Sequence, residues 1–415
     1  MTIFPQFKLP REAYPDSHER FIADFSGRVG RTFATYQIYE DIGAIAGEWQ
    51  NFEARACGSF YQSALWCRAW LETVGRAERA APRIVAGRDT TGDLVFLLPL
   101  QIRKRHGLRT LEWLTAPHAT YGGGLFAPHF LTGASSWFAD NWTGISDAIA
   151  TWDAIALTNM PELWHGEPHP LRTLFRIAGP NCGYSMALEA DYTAITLRKQ
   201  SGESRRQDRK RLGALAAHGE IAFTLPASAE SRAEAVRLLF RQQEARLAEH
   251  GIYGVFGPAE QAFIKRLSAW PPGRHAVLLP YVLSCGNEVL AIMLCARHGG
   301  TLWGLISSLA QSPLRRYSPG DLALRRCIEA GCKGGFLRFD FATGDTPYKR
   351  TWADQAMPLF EHHSGRNIHG IGAAGAHLLA TAVKRLVKQN PKAHAMFQRL
   401  RKSLRGSRQA QATRA

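Results

Sequence analysis

Two rhythms of apolar and polar positions alternate along the chain, and their succession predicts a mixed α+β protein. Ser63 is placed to cap a helix ALWCRAWLETVG, in which Leu65, Ala69 and Glu72 fall at helical spacing and Gly75 marks the end. PRIVAGRD, TTGD and LVFLLPLQIR read as strand, turn and strand, and RTLEWL as a third strand. TYGGGLF follows. Three consecutive glycines point to a close backbone approach or a left-handed conformation. A helix around Ser136–Ala150 and a strand DAIALTNM complete this first stretch.

After a strand-like YTAITL the pattern starts again. RRQDRKRLGALAAHGE reads as a basic helix, and a longer helix is expected over Ala229–His250, with Ala235, Leu238, Leu239, Gln242 and Leu247 on its buried stripe. Another helix covers Ala259–Ala269. AVLLPYVLS, VLAIMLCARH and TLWGLISSL are three apolar runs joined by CGNE and GG, the signature of an antiparallel meander. RRYSPGDLALRRCIEAGC is then a loop feeding a helix, GFLRFDFATG a strand, and AMPLFEHH a last strand. Two mixed stretches of similar length suggest a duplicated domain, although no literal repeat is visible. The expected organisation is an irregular leader over 1–30, domains over 31–195 and 196–365, and a tail over 366–415.

A chain of 415 residues with 45% apolar and 21% charged residues has material for more than one core. No apolar run is long enough for a membrane span; the longest charge-free stretch, Ile368–Val383, is broken by three glycines and two histidines. The N-terminal residues contain no apolar signal core, so a cytoplasmic protein is expected. Seven widely spaced cysteines without a CxxC pair argue against disulfides or zinc. The net charge is +16, but eleven of the 51 basic residues and none of the 35 acidic ones lie between Arg366 and Ala415. An excess held in the tail suits an anionic surface or partner better than nucleic acid, which is not an expected ligand. Two amphipathic segments separated by Asn390–Pro391 would let that tail attach weakly and reversibly to the inner face of the membrane.

The densest candidate chemistry lies in Leu314–Cys332. Arg315, Ser318 and Gly320 fall at the spacing of an R-x-x-G-x-G loop, with Ser in place of the first Gly. Together with Arg316, Asp321 and Leu322 they form a candidate pyrophosphate cradle. Pro319 starts a helix at no cost in hydrogen bonds, Gly320 admits a ligand to the backbone, and the helix dipole favours an anion there. Downstream, LRFDFATGDTPYKRTW crowds Asp340, Asp345, Tyr348, Lys349 and Arg350 at a strand end, and a strand tolerates a buried Asp340 only if it is paired, with Arg338 or Lys349 as the available cations. The basic run Arg205–Arg211 reads as a solvated helix face or as a contact to phosphates, and His118 and His129 flank the triple glycine.

An antiparallel meander feeding such a loop, then helix and strand, is the arrangement of GNAT acyltransferases. The sequence resembles the CelD/BcsL-type acetyltransferases of that superfamily, which carry the BioF-like acetyltransferase domain and are related to FemAB-type aminoacyl transferases. FYQSALWCRAWLETVG, PRIVAGRDTTGDLVFLLPL, TYGGGLF, RRQDRKRLGALAAHGEIAF, RYSPGDLAL and FDFATGDTPYKRTWAD carry the resemblance across Phe60–Asp354. It implies two tandem GNAT-like domains with mainly antiparallel sheets, acetyl-CoA as acyl donor, no metal, and a role in exopolysaccharide, cellulose or cell-envelope production, in which the tail would meet a polysaccharide synthase.

Transfer from a thioester requires a base for the amine or hydroxyl acceptor and an acid for the thiolate. Asp345 is the first candidate base and Asp340 the second. Tyr317 and Tyr348 are candidate acids, and Lys349 would hold the acceptor or an anionic group. Two alternatives remain: aminoacyl transfer from charged tRNA, and a catalytically inactive scaffold.

Overall fold

The structure, a computed structural model, describes residues 35–149, 151–249, 251–269 and 277–389. The expected leader and the second tail segment lie outside them. The chain opens with β1 (Thr35–Tyr39), α1 (Ala46–Glu53) and α2 (Ala64–Trp70). Ser63 caps α2 as expected, its Oγ accepting from the Trp66 amide at 3.2 Å. The helix does not stop at Gly75. It continues through a π turn, Leu71–Gly75, into α3 (Arg76–Glu78), and ends where Arg79 turns left-handed at φ 54°. Gly75 serves packing instead, since a Cβ there would stand 2.9 Å from the Trp70 ring.

The remaining elements fall into two matching series. The first is β2 (Ala81–Arg88), β3 (Leu94–Arg105), β4 (Leu108–Trp113), β5 (Leu125–Phe126), α4 (Pro128–Ala148), β6 (Ala154–Pro161), the short pair β7 (Leu163–Trp164) and β8 (Glu167–Pro168), and β9 (Ile177–Ala187). The second is α5 (Tyr192–Lys199), α6 (Gly202–Ala216), β10 (Ile221–Thr224), α7 (Ala229–Glu249), α8 (Pro258–Ala269), β11 (Val277–Cys285), β12 (Glu288–His298), β13 (Thr301–Leu309), α9 (Pro319–Lys333), β14 (Arg338–Thr343), α10 (Pro347–Trp352), β15 (Gln355–Gly365) and α11 (Ile368–Gln389).

YTAITL is thus a helix, α5, and not a strand. Asp191 accepts a hydrogen bond from the Thr193 amide at 2.8 Å and caps it. Ile195 is buried while Leu197 is exposed, so the β-branched composition is overridden by the cap and by one-sided burial.

Thirteen strands form one sheet, twelve in the order β1-β2-β3-β4-β6-β15-β9-β14-β13-β12-β11-β10 with β5 paired to β3, while β7 and β8 form a separate two-stranded sheet. Each flank is an antiparallel run that ends on a parallel pair, β4 with β6 and β13 with β14. Parallel neighbours require a crossover, supplied by α4 in one half and α9 in the other. The two halves thus repeat one plan, as the sequence suggests. The meander β11–β13 is as expected, with hairpins at Gly286 and at Gly299–Gly300, all three glycines left-handed.

At the centre the halves exchange strands. β9 pairs with β14 of the second half, and β15 pairs with β6 of the first; β9 and β15 also pair with each other. Two apolar clusters fill the molecule, one built around Trp49, Trp70, Phe96 and Phe138, the other around Tyr281, Ile328, Phe339 and Trp352.

Candidate functional site

In both halves the parallel pair is short and then opens. β13 and β14 are in register only from Thr301↔Arg338 to Trp303↔Asp340; β4 and β6 only from Thr110↔Ala154 to Glu112↔Ala156. In the first half the opening is filled by the triple-glycine segment. The Gly122 amide donates to the Asn159 carbonyl at 2.9 Å, and Trp113 Nε1 donates to the Thr158 carbonyl at 3.1 Å. A Cβ on Gly122 would stand 2.2 Å from Thr158 O, and one on Gly124 2.5 Å from Leu97 O. The glycines therefore mark close backbone approach, the first of the two expected alternatives. Of the two histidines flanking this segment, His118 bonds to Trp70 Nε1 at 3.1 Å and faces Glu260 at 3.6 Å, while His129 lies at the start of α4.

Tyr121, just before those glycines, reaches across to the second half. Its hydroxyl donates to Asp340, 3.0 Å from Oδ2 and 3.3 Å from Oδ1, and its carbonyl accepts from Gln62 Nε2 at 2.9 Å. Tyr61 and Trp303 pack edge-on against it at ring distances near 6 Å. Asp340 is buried at the last position of β14 that pairs with β13, and burial pushes its carboxyl up to about 6, against the pull of the Ala342 amide, the Tyr121 hydroxyl and the Lys349 and Arg338 charges. The Ala342 amide donates to Oδ1 at 2.7 Å from a left-handed residue, φ 59°, in a bulge of the β14–β9 ladder. Strain of that kind in a non-glycine residue persists only where the surroundings fix it. Lys349 does so: its buried ammonium donates to Thr343 O at 2.6 Å and reaches Ala342 O at 3.4 Å. Burial brings its pKa down to about 8.

The partner of Asp340 is therefore a tyrosine and a backbone amide, not an ion pair with Arg338 or Lys349. Arg338 shares its strand face but points to Ser185 and Gln355, each at 3.4 Å. Asp345 lies at the edge of this group, close enough for its charge to act on Lys349. It is exposed and held by Arg350 Nε at 2.6 Å. Tyr348 is also exposed, in α10, with its ring near Phe341.

The loop entering α9 forms the second feature. Pro313–Tyr317 is a 3-10 turn, after which Ser318 adopts φ 58°, ψ 51° and makes no side-chain capping bond. A shallow hollow, open to solvent, lies against it, lined by Asp208, Arg211 and Leu212 of α6 and by Tyr317, Ser318, Asp321 and Arg325. Arg325 ties Asp321 at 2.5 Å and also pairs with Asp208, joining α9 to the basic helix. Arg316 lies over the Tyr317 ring and donates to its hydroxyl at 2.8 Å, and His218 meets the same hydroxyl at 3.1 Å. Arg315 points away, paired with Glu249 at 2.8 Å. Gly320 has a negative φ and open space: a Cβ there would meet only Leu309 Cδ1, at 3.6 Å. Arg206, Arg209 and Lys210 of α6 are exposed to solvent. Leu322, in the first turn of α9, lines the hollow and packs toward the second core.

Ser318 occupies a conformation that costs an L-residue about 1–2 kcal/mol. Ser318→Gly removes that strain and adds backbone freedom to the unfolded chain. A gain of about 0.5–1 kcal/mol is expected, read as a higher urea midpoint. A lower midpoint would mean that the serine side chain stabilises the loop by more than its strain costs.

Tyr121 and Tyr61 were missed by sequence reasoning. The available signal was TYGGG itself, because a tyrosine fixed by a rigid glycine segment is held in one direction.

Residues 202–350 match the family model described as an acetyltransferase (GNAT) domain. No curated protein matches the chain. Among solved structures, FemX superposes with a TM-score of 0.53 at 10% identity, over 76% of this chain and 93% of that one. The C-terminal (DUF2156) domain of a protein from Agrobacterium fabrum assigned as a lysylphosphatidylglycerol synthetase gives 0.51 at 12% identity, over 83% and 96%. A tandem GNAT protein from the clavulanic acid biosynthesis pathway gives 0.47 at 10%, over 81% and 99%. Identities this low speak for the fold alone. The family match gives residues 202–350, in the second half of the sheet, the description of an acetyltransferase (GNAT) domain, and the likeness to FemX and to the DUF2156 domain extends the shared fold across both halves.

Proposed function

We propose that the chain is an acyl-CoA-dependent acyltransferase whose single working cleft is the opening between β13 and β14. The supporting observation is the pairing of two features around one crossover unit. A left-handed loop and hollow stand at the start of α9, and a buried carboxylate stands where β13 and β14 part. The coenzyme's pyrophosphate lies at Ser318–Asp321, beside Arg316 and Arg211. Its pantetheine arm runs into the opening and brings the thioester towards Asp340. The corresponding opening of the first half is filled by Tyr121–Gly124, so that half supplies Tyr121 and Tyr61 as a wall.

Asp340, not Asp345, is the base in this reading. A carboxylate held near the operating pH accepts a proton better than one tied to an arginine in solvent. The acceptor's nitrogen or oxygen attacks the thioester carbonyl, its proton passes to Asp340, and the C–S bond breaks with the electron pair leaving on sulfur. Tyr348 is the candidate acid for that thiolate. Tyr317 belongs to the phosphate end, because the pantetheine arm separates pyrophosphate from thioester. Lys349 holds the Ala342–Thr343 turn that presents Asp340. The acetyl donor and the polysaccharide or envelope setting rest on the CelD/BcsL resemblance.

Thermal unfolding of the full chain with acetyl-CoA tests this. Ligand at a hundredfold excess over its dissociation constant stabilises by about 2.7 kcal/mol, a shift of several degrees. A shift with aminoacyl-tRNA and none with coenzyme A or its thioesters would overturn the reading in favour of aminoacyl transfer. Binding without thioester turnover in the presence of any amine or hydroxyl acceptor would favour the scaffold.

A further inference from the structure

The last described helix, α11, is seated on the sheet by one narrow side. Gly370 packs so closely on the Asp153 carbonyl that no side chain fits there. Ala374 is buried. The Thr381 hydroxyl donates to Glu361 at 2.9 Å, and the His377 ring stacks on His363 at 5.3 Å, with planes 6° apart. Asn367 caps the start, accepting from the Gly370 amide at 2.9 Å and donating to Asp153 at 2.8 Å.

The opposite side is apolar and open. Ile368, Ile371, Leu379, Val383 and Leu386 fall on one face at helical spacing, each between 50% and 80% exposed. Gly372, Gly375 and Ala376, also exposed, lie among them. They account for five of the exposed large apolar side chains among the described residues. Single exposed apolar residues are ordinary; a stripe along about five turns marks an interaction surface.

Charge selects the occupant. Arg385 is exposed on the flank of this helix, and Lys384, also exposed, lies nearer its seated side, within electrostatic reach of Glu361 and His377. Of the acidic groups at its base, Asp153 is paired with Arg109 and Asp147 with Arg366, and Glu361 is hydrogen-bonded to His363 and Thr381. The sequence from Arg366 to the end holds eleven Lys/Arg and no Asp/Glu. A second copy of the chain would bring like-charged segments together. An anionic surface with an apolar interior meets both the stripe and the charge. Among the described residues no helix is long and apolar enough to cross a membrane, so the helix lies along the surface.

We propose that α11 is an interfacial helix that sets this protein on an anionic lipid bilayer through Ile371, Leu379, Val383 and Leu386, with the body of the molecule facing away from the lipid. Attachment is reversible and salt-dependent, each basic group near the surface strengthening it about fivefold.

Co-sedimentation of the full chain with vesicles decides this. Vesicles of phosphatidylglycerol mixed with phosphatidylcholine should bring the protein down at low salt and release it at high salt, whereas pure phosphatidylcholine should leave most of it in solution. The exposed triple substitution Ile371→Ser, Leu379→Ser and Leu386→Ser should weaken binding at least tenfold with an unchanged melting temperature. Lys384→Gln with Arg385→Gln should weaken it less and flatten the salt dependence. If the wild-type chain stays in the supernatant with anionic vesicles at low salt, the proposal is wrong. Binding by the triple variant equal to wild type would equally overturn it and assign lipid attachment to charge alone. Concentration-dependent dimerisation abolished by the triple substitution, without vesicle binding, would give the face to a second copy.

Discussion

Asp340→Asn should lower turnover by about 10²–10⁴-fold while leaving the protein at least as stable as before. The two halves of that expectation have one origin. Burial raises the carboxyl from 3.8 to about 6, so the folded chain binds this proton more tightly than the unfolded chain does. The sign follows directly. The native state holds more protons between those two values, so stability falls as pH rises through that window and stays lower above it. The difference amounts to about 3 kcal/mol. Asparagine is neutral at every pH and isosteric, and its amide oxygen still accepts from the Ala342 amide. The variant therefore escapes the penalty at neutral pH while lacking a base. In the wild type, kcat/KM should rise with pH and level off above a midpoint near 6. Full turnover in Asp340→Asn would remove Asp340 from the chemistry and return Asp345 to first place. A variant that loses activity and stability together would show that the charge at 340 holds the fold.

Gly320→Val should cut coenzyme A affinity by about a hundredfold, the worth of two charge-assisted hydrogen bonds at about 3 kcal/mol. The position suits the experiment because the fold itself does not require glycine there: φ is ordinary, and the Cβ would meet only Leu309 at van der Waals distance. A branched side chain would intrude where phosphate oxygens approach the amides of the first turn of α9. Isothermal titration with coenzyme A, alongside an unchanged melting temperature without ligand, reads the effect. Wild-type affinity in the folded variant would move the pyrophosphate elsewhere.

What the sequence made legible depended on how local the cause was. The β11–β13 meander announces itself through apolar runs and glycine turns, and Ser63 and the Ser318–Gly320 loop are visible because caps and tight turns are decided within a few residues. The pairing of Tyr121 with Asp340 spans 219 positions, and no short pattern encodes it. The candidate base was ranked by its company in sequence, and Asp345 looked better supplied with neighbours. In three dimensions Arg350 holds the Asp345 carboxylate at the surface, and the proposed mechanism prefers the buried Asp340 for that reason. At YTAITL β-branched residues suggest a strand, but Asp191 supplies a cap and only one face finds a core. The exchange of β9 and β15 between the halves had no local signature at all.

That exchange bears on how the protein is made. β6 ends at Pro161, yet the strand that covers its free edge, β15, begins only at Gln355. During synthesis the first half therefore leaves the ribosome with an open edge, and it keeps that edge until nearly the whole second half has followed. Unpaired edges invite the wrong partner, and pairings so distant in sequence form slowly. A fragment ending near residue 350, where the matched family segment ends, would lack β15 and expose the edges of both β6 and β9. The two halves are thus expected to complete their folding together, when the last strand closes both edges.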